Sequence, residues 1–189
     1  GTGNDLIVGN VTNTLADTLV GGAGNDTILG SISNVGNAAD NQGDTMTGNA
    51  GNDVFVFRGS DAVETFQVSA GTTRVTQITD FVAGTDKIAI VNDAAAFTTF
   101  VLANSQNIAT AANLTDVYAG ISAIAASTAN ILQGAYITVL AGALAGKTYL
   151  YVNDIAGAGV SNANDMLIDL TGISGTFTAN DVVFGYTVA

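Results

Sequence analysis

Five aspartates in the first third of the chain share one setting. Asp5, Asp17, Asp26, Asp44 and Asp53 each follow a turn-like stretch, and each precedes a variable, an apolar and a variable residue. The fullest copy is GGAGNDTILG, Gly21 to Gly30. Related strings are GTGNDLIVG around Asp5, ADTLVG around Asp17, GDTMTG around Asp44 and GNAGNDVFVF around Asp53. Nine residues separate Asp17 from Asp26 and Asp44 from Asp53, eighteen separate Asp26 from Asp44, and twelve separate Asp5 from Asp17. These spacings define a nine-residue unit with a three-residue insertion near Asn10–Thr12. Position 35, where a further Asp would fall, holds Val35 in a degenerate stretch, Ser31–Ala39.

The chemistry of such a unit is that of a hard cation. Closely spaced Gly and Asn admit left-handed backbone conformations that bring several carbonyl oxygens round to one point. A short strand then carries one inward apolar residue: Ile7, Leu19, Ile28, Met46 or Phe55. If two units make one coil, strands two units apart stack as parallel neighbours about 4.8 Å apart, and their carboxylates stack with them. Two carboxylates about 5 Å apart repel by roughly 3 kcal/mol at an effective dielectric of 20. A cation between the turns relieves this, and carboxylate plus carbonyl oxygens are the ligands that calcium takes.

Counting units alternately assigns Asp5, Asp26 and Asp44 to one side of the roll and Asp17, Val35 and Asp53 to the other. The first column is then expected to be continuous. The second is expected to be broken at its middle, unless Asn37 or Asp40 substitutes there.

Composition narrows the alternatives. With 48% hydrophobic and 11% charged residues the 189-residue chain reads as globular rather than disordered. Its 16 acidic against 4 basic residues give a net charge of −12, which disfavours nucleic acid and anionic membranes. There is no Cys and no His, so disulfides, thiolate sites and His-based catalysis are excluded within these residues. The uncharged stretch between Asp116 and Lys147 is interrupted by Asn130, Gln133 and Gly134, and reads as helix followed by strand rather than a transmembrane segment. The sequence starts inside a motif, at Gly1, and is expected to be a fragment.

The repeat resembles the RTX, or hemolysin-type, calcium-binding family, whose nonapeptide is G-G-x-G-x-D-x-U-x. Gly21 to Leu29 matches every specified position, Gly48 to Val56 matches with Asn49 for the second Gly, and Gly1 to Val8 fits a truncated copy. Asp17 and Asp44 keep only the Asp and strand half. The resemblance implies a mainly all-β fold: a parallel β-roll solenoid over residues 1–57, then a β-rich cap with one or two helices over 58–189. It implies several calcium ions held around Gly3, Asp5, Asp17, Gly22, Gly24, Asn25, Asp26, Asp44, Gly51, Asn52 and Asp53. The string ITDFVAGTDKIAIV, Ile78 to Val91, is similar to the segment that follows RTX arrays in serralysin-type proteases. There Asp80 and Asp86 are candidates for closing the last sites, their other reading being turn chemistry.

Beyond that, a loop is expected from Arg58 to Thr72 and strands at Val75–Val82 and Lys87–Val91. Asn113 is expected to cap a helix to about Ala129 that buries Leu114, Val117, Ile121, Ile124 and Ala125. Strands follow at Ala135–Leu140, Thr148–Val152, Met166–Leu170 and Val182–Phe184. The loop holding Asn153, Asp154, Asn162, Asn164 and Asp165 reads as a polar loop or as a further calcium site through Asp154 and Asp165. The tail resembles the C-terminal regions of bacterial RTX surface proteins, including S-layer-type ones, and its ending from Asp181 resembles a type I export signal.

Two functional classes are open at this level. One is a structural calcium-binding module that folds on export and assembles, anchors or caps a cell-surface protein, with the type I exporter and other surface-layer subunits as partners. The other is the export domain of a secreted enzyme whose catalytic part lies elsewhere. The chain itself is expected not to be an enzyme and to be extracellular or at the cell surface. An ice-binding or adhesive solenoid, drawn from Thr2 and Asn4, is not continued by Thr in later turns.

Overall fold

The computed structural model describes residues 1–10, 15–30, 43–58, 75–91, 98–121, 131–153 and 166–184. Over these residues the regular structure is mostly strand, arranged as two sheets that share an apolar interior.

Strands alternate between the two sheets as the chain coils. β1 (Leu6–Val8), β3 (Thr27–Leu29), β5 (Val54–Arg58) and β7 (Lys87–Val91) stack in parallel in the first sheet, and β12 (Val182–Val183) completes it. β2 (Thr18–Ala23), β4 (Thr45–Ala50) and β6 (Gln77–Ile78) stack in parallel in the second. This is the two-unit coil that the spacing implied. Each strand buries the residue two after its Asp: Ile28 and Phe55 are fully enclosed, Met46 and Leu19 nearly so, and Ile7 partly. Alternation of side chains across the pleat makes this possible, because one apolar residue per short strand is enough to fill the space between two sheets.

Strand pairing corrects the register. β4 lies beside β2 (Thr18 opposite Thr45, Leu19 opposite Met46), and β5 lies beside β3 (Thr27 opposite Val54, Ile28 opposite Phe55). One row therefore holds Asp5, Asp26 and Asp53, and the other holds Asp17 and Asp44. Asp26 and Asp53 are 27 residues apart, whereas two nonapeptides account for about eighteen. The excess is the length of one whole unit, and it falls between β3 and β4. Val35, Asn37 and Asp40 lie outside the described residues.

Both sheets continue past residue 57. β6 and β7 extend the roll, and β11 (Met166–Asp169) joins β6 in parallel. Antiparallel β10 (Thr148–Asn153), then β9 (Ile131–Val139) and β8 (Thr99–Ile108) carry the second sheet outward. The ten-residue β8 was not expected: its run of Ala103, Asn104, Ser105, Gln106 and Asn107 has no apolar alternation, and its pairing shifts register between Ala103 and Gln106. The expected strand Val75–Val82 contracts to β6 because the chain turns at Thr79–Thr85.

Asn113 does cap a helix, α1 (Leu114–Gly120). Its side chain accepts from the Asp116 amide, and Asp116 answers by accepting from the Asn113 amide. This reciprocal cap is worth about 1 kcal/mol. The helix stops at Gly120 rather than Ala129, since Ile121 is already extended with ψ 120°. Leu114, Val117, Tyr118 and Ile121 pack against β9 and β10 of the second sheet. Ile124, Ala125 and the expected loop from 59 to 72 lie outside the described residues. No helix among the described residues is long and apolar enough to cross a membrane.

Candidate calcium site

The first row of turns is a ladder of carboxylates. Asp26 Oδ1 accepts from the Asp5 amide at 2.8 Å, Asp53 Oδ1 from the Asp26 amide at 2.8 Å, and Asp86 Oδ1 from the Asp53 amide at 3.0 Å. Each aspartate thus fixes the turn before it through one oxygen. The other oxygens of Asp26 and Asp53 are buried and have no hydrogen-bond partner. They face inward across their own turns, each against the glycine that opens its unit, Gly21 and Gly48.

Carbonyls stack in the same row. A Cβ on Gly24 would strike the Gly3 carbonyl oxygen, and one on Gly51 would strike the Gly24 carbonyl oxygen. These glycines also hold φ of 140° (Gly3), 134° (Gly24) and 145° (Gly51), which an L side chain rarely adopts. Asn49, which stands for the second Gly of its unit, has φ 70°, a left-handed value that Asn tolerates. Alongside runs a ladder of amides, with Asn4 Oδ1 accepting from the Asn25 amide and Asn25 Oδ1 from the Asn52 amide.

The electrostatics of this row are unfavourable without a cation. Burial pushes the Asp53 carboxyl above its ordinary range, and the neighbouring Asp86, Asp26 and Asp80 carboxylates push it further; the Asp26 amide opposes them only in part. Burial likewise raises Asp86, with Asp80 adding to it. A buried, ionised carboxylate without a partner costs several kcal/mol. Buried oxygens left without donors beside stacked carbonyls fit a hard divalent ion with oxygen ligands, and the charge of calcium would reverse the penalty. Asp26 and Asp53, with the turn carbonyls around Gly22, Gly24 and Gly51, would hold such an ion, and Asn25 and Asn52 would fix the turns. No group of three acidic side chains among the described residues is placed to hold a metal ion by itself, so the carbonyls must supply much of the coordination.

Asp80 and Asp86 close the row by accepting from backbone. Asp80 accepts from the Gly48 amide at 3.0 Å and the Asn49 amide at 2.7 Å. Asp86 uses its second oxygen on the Val82 amide at 2.8 Å, so it terminates the ladder inside its own loop.

The second row is different. Asp44 Oδ1 accepts from the Asp17 amide at 2.8 Å, but the next position is Thr76, whose hydroxyl oxygen accepts from the Asp44 amide at 3.2 Å. The carboxylate ladder ends there. The expected break at the middle of the second row, at Val35, is not where that row stops: Asp44 and Asp53 have exchanged rows, Asp44 follows Asp17 directly, and the carboxylates end at Thr76. Asp17 Oδ2 accepts from the Asn10 amide. Beyond Thr76, Asp169 is paired with Lys147 at 2.9 Å rather than with another acid. Asp154 and Asp165 lie outside the described residues.

Sequence reasoning named Asp181 only as the start of an export-signal-like ending. It is 1% exposed, although it sits in a short acidic-then-apolar ending. Burial would raise its pKa, but hydrogen bonds from the Thr178 and Gly84 amides, the Lys87 ammonium and the Thr178 hydroxyl outweigh that and lower it. The local signal is the capping pair Thr178 and Asp181, three residues apart; the partners Gly84 and Lys87 are distant in the chain and leave no local trace.

A coil of two Gly-rich turns and two short parallel strands, with stacked aspartates at the turns, defines a calcium-binding β-roll. In agreement, residues 11–34 and 39–61 match the family model of the RTX calcium-binding nonapeptide repeat, in four copies. The chain carries RTX repeats. It is also 30% identical over 193 residues to an S-layer protein of Synechocystis sp., an alignment covering 85% of this chain and 11% of that protein. The chain thus spans about a tenth of the length of the curated relative it matches.

Proposed function

We propose that the chain is a calcium-dependent folding module of a larger exported protein, which assembles, anchors or caps that protein at the cell surface. The observation that carries this reading is the pair of buried carboxylate oxygens, Asp26 Oδ2 and Asp53 Oδ2, that the protein itself leaves without partners. In a compartment poor in calcium the stacked carboxylates repel and the roll stays open. Outside, ions fill the turns, and each site held ten-fold below ambient calcium contributes about 1.4 kcal/mol to folding.

Support for a surface role comes from the S-layer relative and from the apolar outer faces of the first coil, where Leu6, Val8 and Val20 stay exposed. Farther along the first sheet, beyond Leu6 and Val8, Leu29 and Val56 are buried. The exporter and neighbouring surface-layer subunits are the partners this reading implies, and the chain's own role is binding rather than catalysis. Far-UV circular dichroism of the full chain tests it. Strand signal should rise on adding calcium and fall with a chelator, whereas a spectrum indifferent to both would defeat the proposal.

A further inference from the structure

We infer that residues 173–184 form a calcium-gated latch, docked on the closing loop 80–87 when the roll is folded and released with that loop when calcium is withdrawn. This inference rests on the calcium reading above and adds a second moving part to it.

The closing loop has two sides. On the side of the roll, Asp80 takes the Gly48 and Asn49 amides, Asp86 takes the Asp53 amide, and the Lys87 amide donates to the Asp53 carbonyl at 2.8 Å. All of these contacts are with the turn 48–53, the one whose Asp53 carries a buried unpartnered oxygen. On the other side the loop holds the tail. Asp181 Oδ1 accepts from the Gly84 amide at 2.8 Å and from Lys87 Nζ at 3.2 Å. The Ala83 amide donates to the Ser174 carbonyl and the Ser174 amide to the Phe81 carbonyl. A row of rings runs the same way, Phe55 to Phe81 at 6.1 Å and Phe81 to Phe177 at 5.9 Å.

The tail cannot order itself. Its regular structure is a 3₁₀ turn, Ala179–Asp181, and the two-residue β12, both far below the length that is stable alone. Its order is borrowed from its neighbours: the loop, β7, with which β12 pairs, and Tyr136, which stacks on Phe177 at 5.9 Å. The loop in turn takes its order from the turn 48–53. Without a cation the carboxylates of Asp26, Asp53, Asp80 and Asp86 repel across that turn, so its loosening removes the loop's anchor and with it the hydrogen bonds that Asp181 and Ser174 make to the loop. Calcium binding in the roll and burial of the C-terminal segment are therefore one event.

Hydrogen exchange followed by mass spectrometry on the full chain separates the parts. With calcium, peptides covering 18–29, 45–58 and 173–184 should all be protected, and in chelator all should lose protection together. A tail that stays protected while the roll peptides open would overturn the latch but leave calcium-dependent folding intact. Roll peptides that ignore calcium would overturn both. Asp181→Asn in saturating calcium should speed exchange in 173–184 about ten- to a hundredfold, as expected when hydrogen bonds to a buried charge are weakened, with 18–29 and 45–58 unchanged. Lys87→Met should act in the same direction. If both variants leave the tail as protected as the native chain, Asp181 is not the latch and the inference fails.

Discussion

Asp53 divides its two carboxylate oxygens between two tasks: Oδ1 receives the Asp26 amide at 2.8 Å, and Oδ2 is buried with no partner in the protein. The first oxygen sets the spacing of successive coils. The second defines a place for a cation. Because the same division holds at Asp26, the roll builds ion sites by repeating one residue rather than by gathering distant ones.

Asp53→Asn keeps an oxygen for the Asp26 amide but places an uncharged amide in the site. The calcium midpoint for folding should rise at least about tenfold, roughly 1.4 kcal/mol. A circular dichroism titration reads it directly. Thr76→Ala, which removes only a hydroxyl at the broken end of the second row, should leave that midpoint near its native value.

Glycine positions differ in what they tolerate. Gly51 has both φ 145° and the Gly24 carbonyl in the way, while Gly84 has φ 84° with open space around it. Gly51→Ala should cost at least about 2 kcal/mol, and Gly84→Ala about 1 kcal/mol. Melting temperatures in saturating calcium compare the two, and equal losses would contradict the stacked-carbonyl geometry.

The pairing of β2 with β4 can be trapped, since the chain has no cysteine of its own. Thr18 and Thr45 face one another in the register, and parallel neighbours lie within disulfide reach at about 4.8 Å. The double variant Thr18→Cys/Thr45→Cys should cross-link under mild oxidation. Thr27→Cys/Thr45→Cys, the pair that simple counting of units would bring together, should not.

Acid should weaken the tail's attachment. The Asp181 pKa is lower folded than unfolded, so its contribution is complete above the ordinary carboxylate value near 4 and is lost as pH falls through the lower folded value. The difference in melting temperature between the native chain and Asp181→Asn should be constant from pH 7 to about pH 5 and shrink below about pH 4. A gap that is unchanged at pH 3 would mean that the charge of Asp181 is not what holds the tail.

Much of the roll was legible because its physics is local. A turn of Gly and Asn, one Asp and one inward apolar residue fit within nine residues, and Ile28, Met46 and Phe55 are buried as their positions required. The register was not legible. The count between Asp26 and Asp44 is the same whichever row Asp44 joins, and only the pairing of Thr18 with Thr45 decides between them. α1 was overextended because the apolar spacing continues past Gly120 while the backbone turns extended at Ile121. The buried role of Asp181 was not legible because its partners Gly84 and Lys87 lie 97 and 94 residues away.

The most direct test is a crystal structure of the chain grown in calcium, with the ions located by anomalous scattering. Ions between the turns 21–26 and 48–53, touching Asp26 Oδ2 or Asp53 Oδ2, are what the account predicts. Ions confined to the Asp17–Asp44 row, or none beside Asp26 and Asp53, would contradict it.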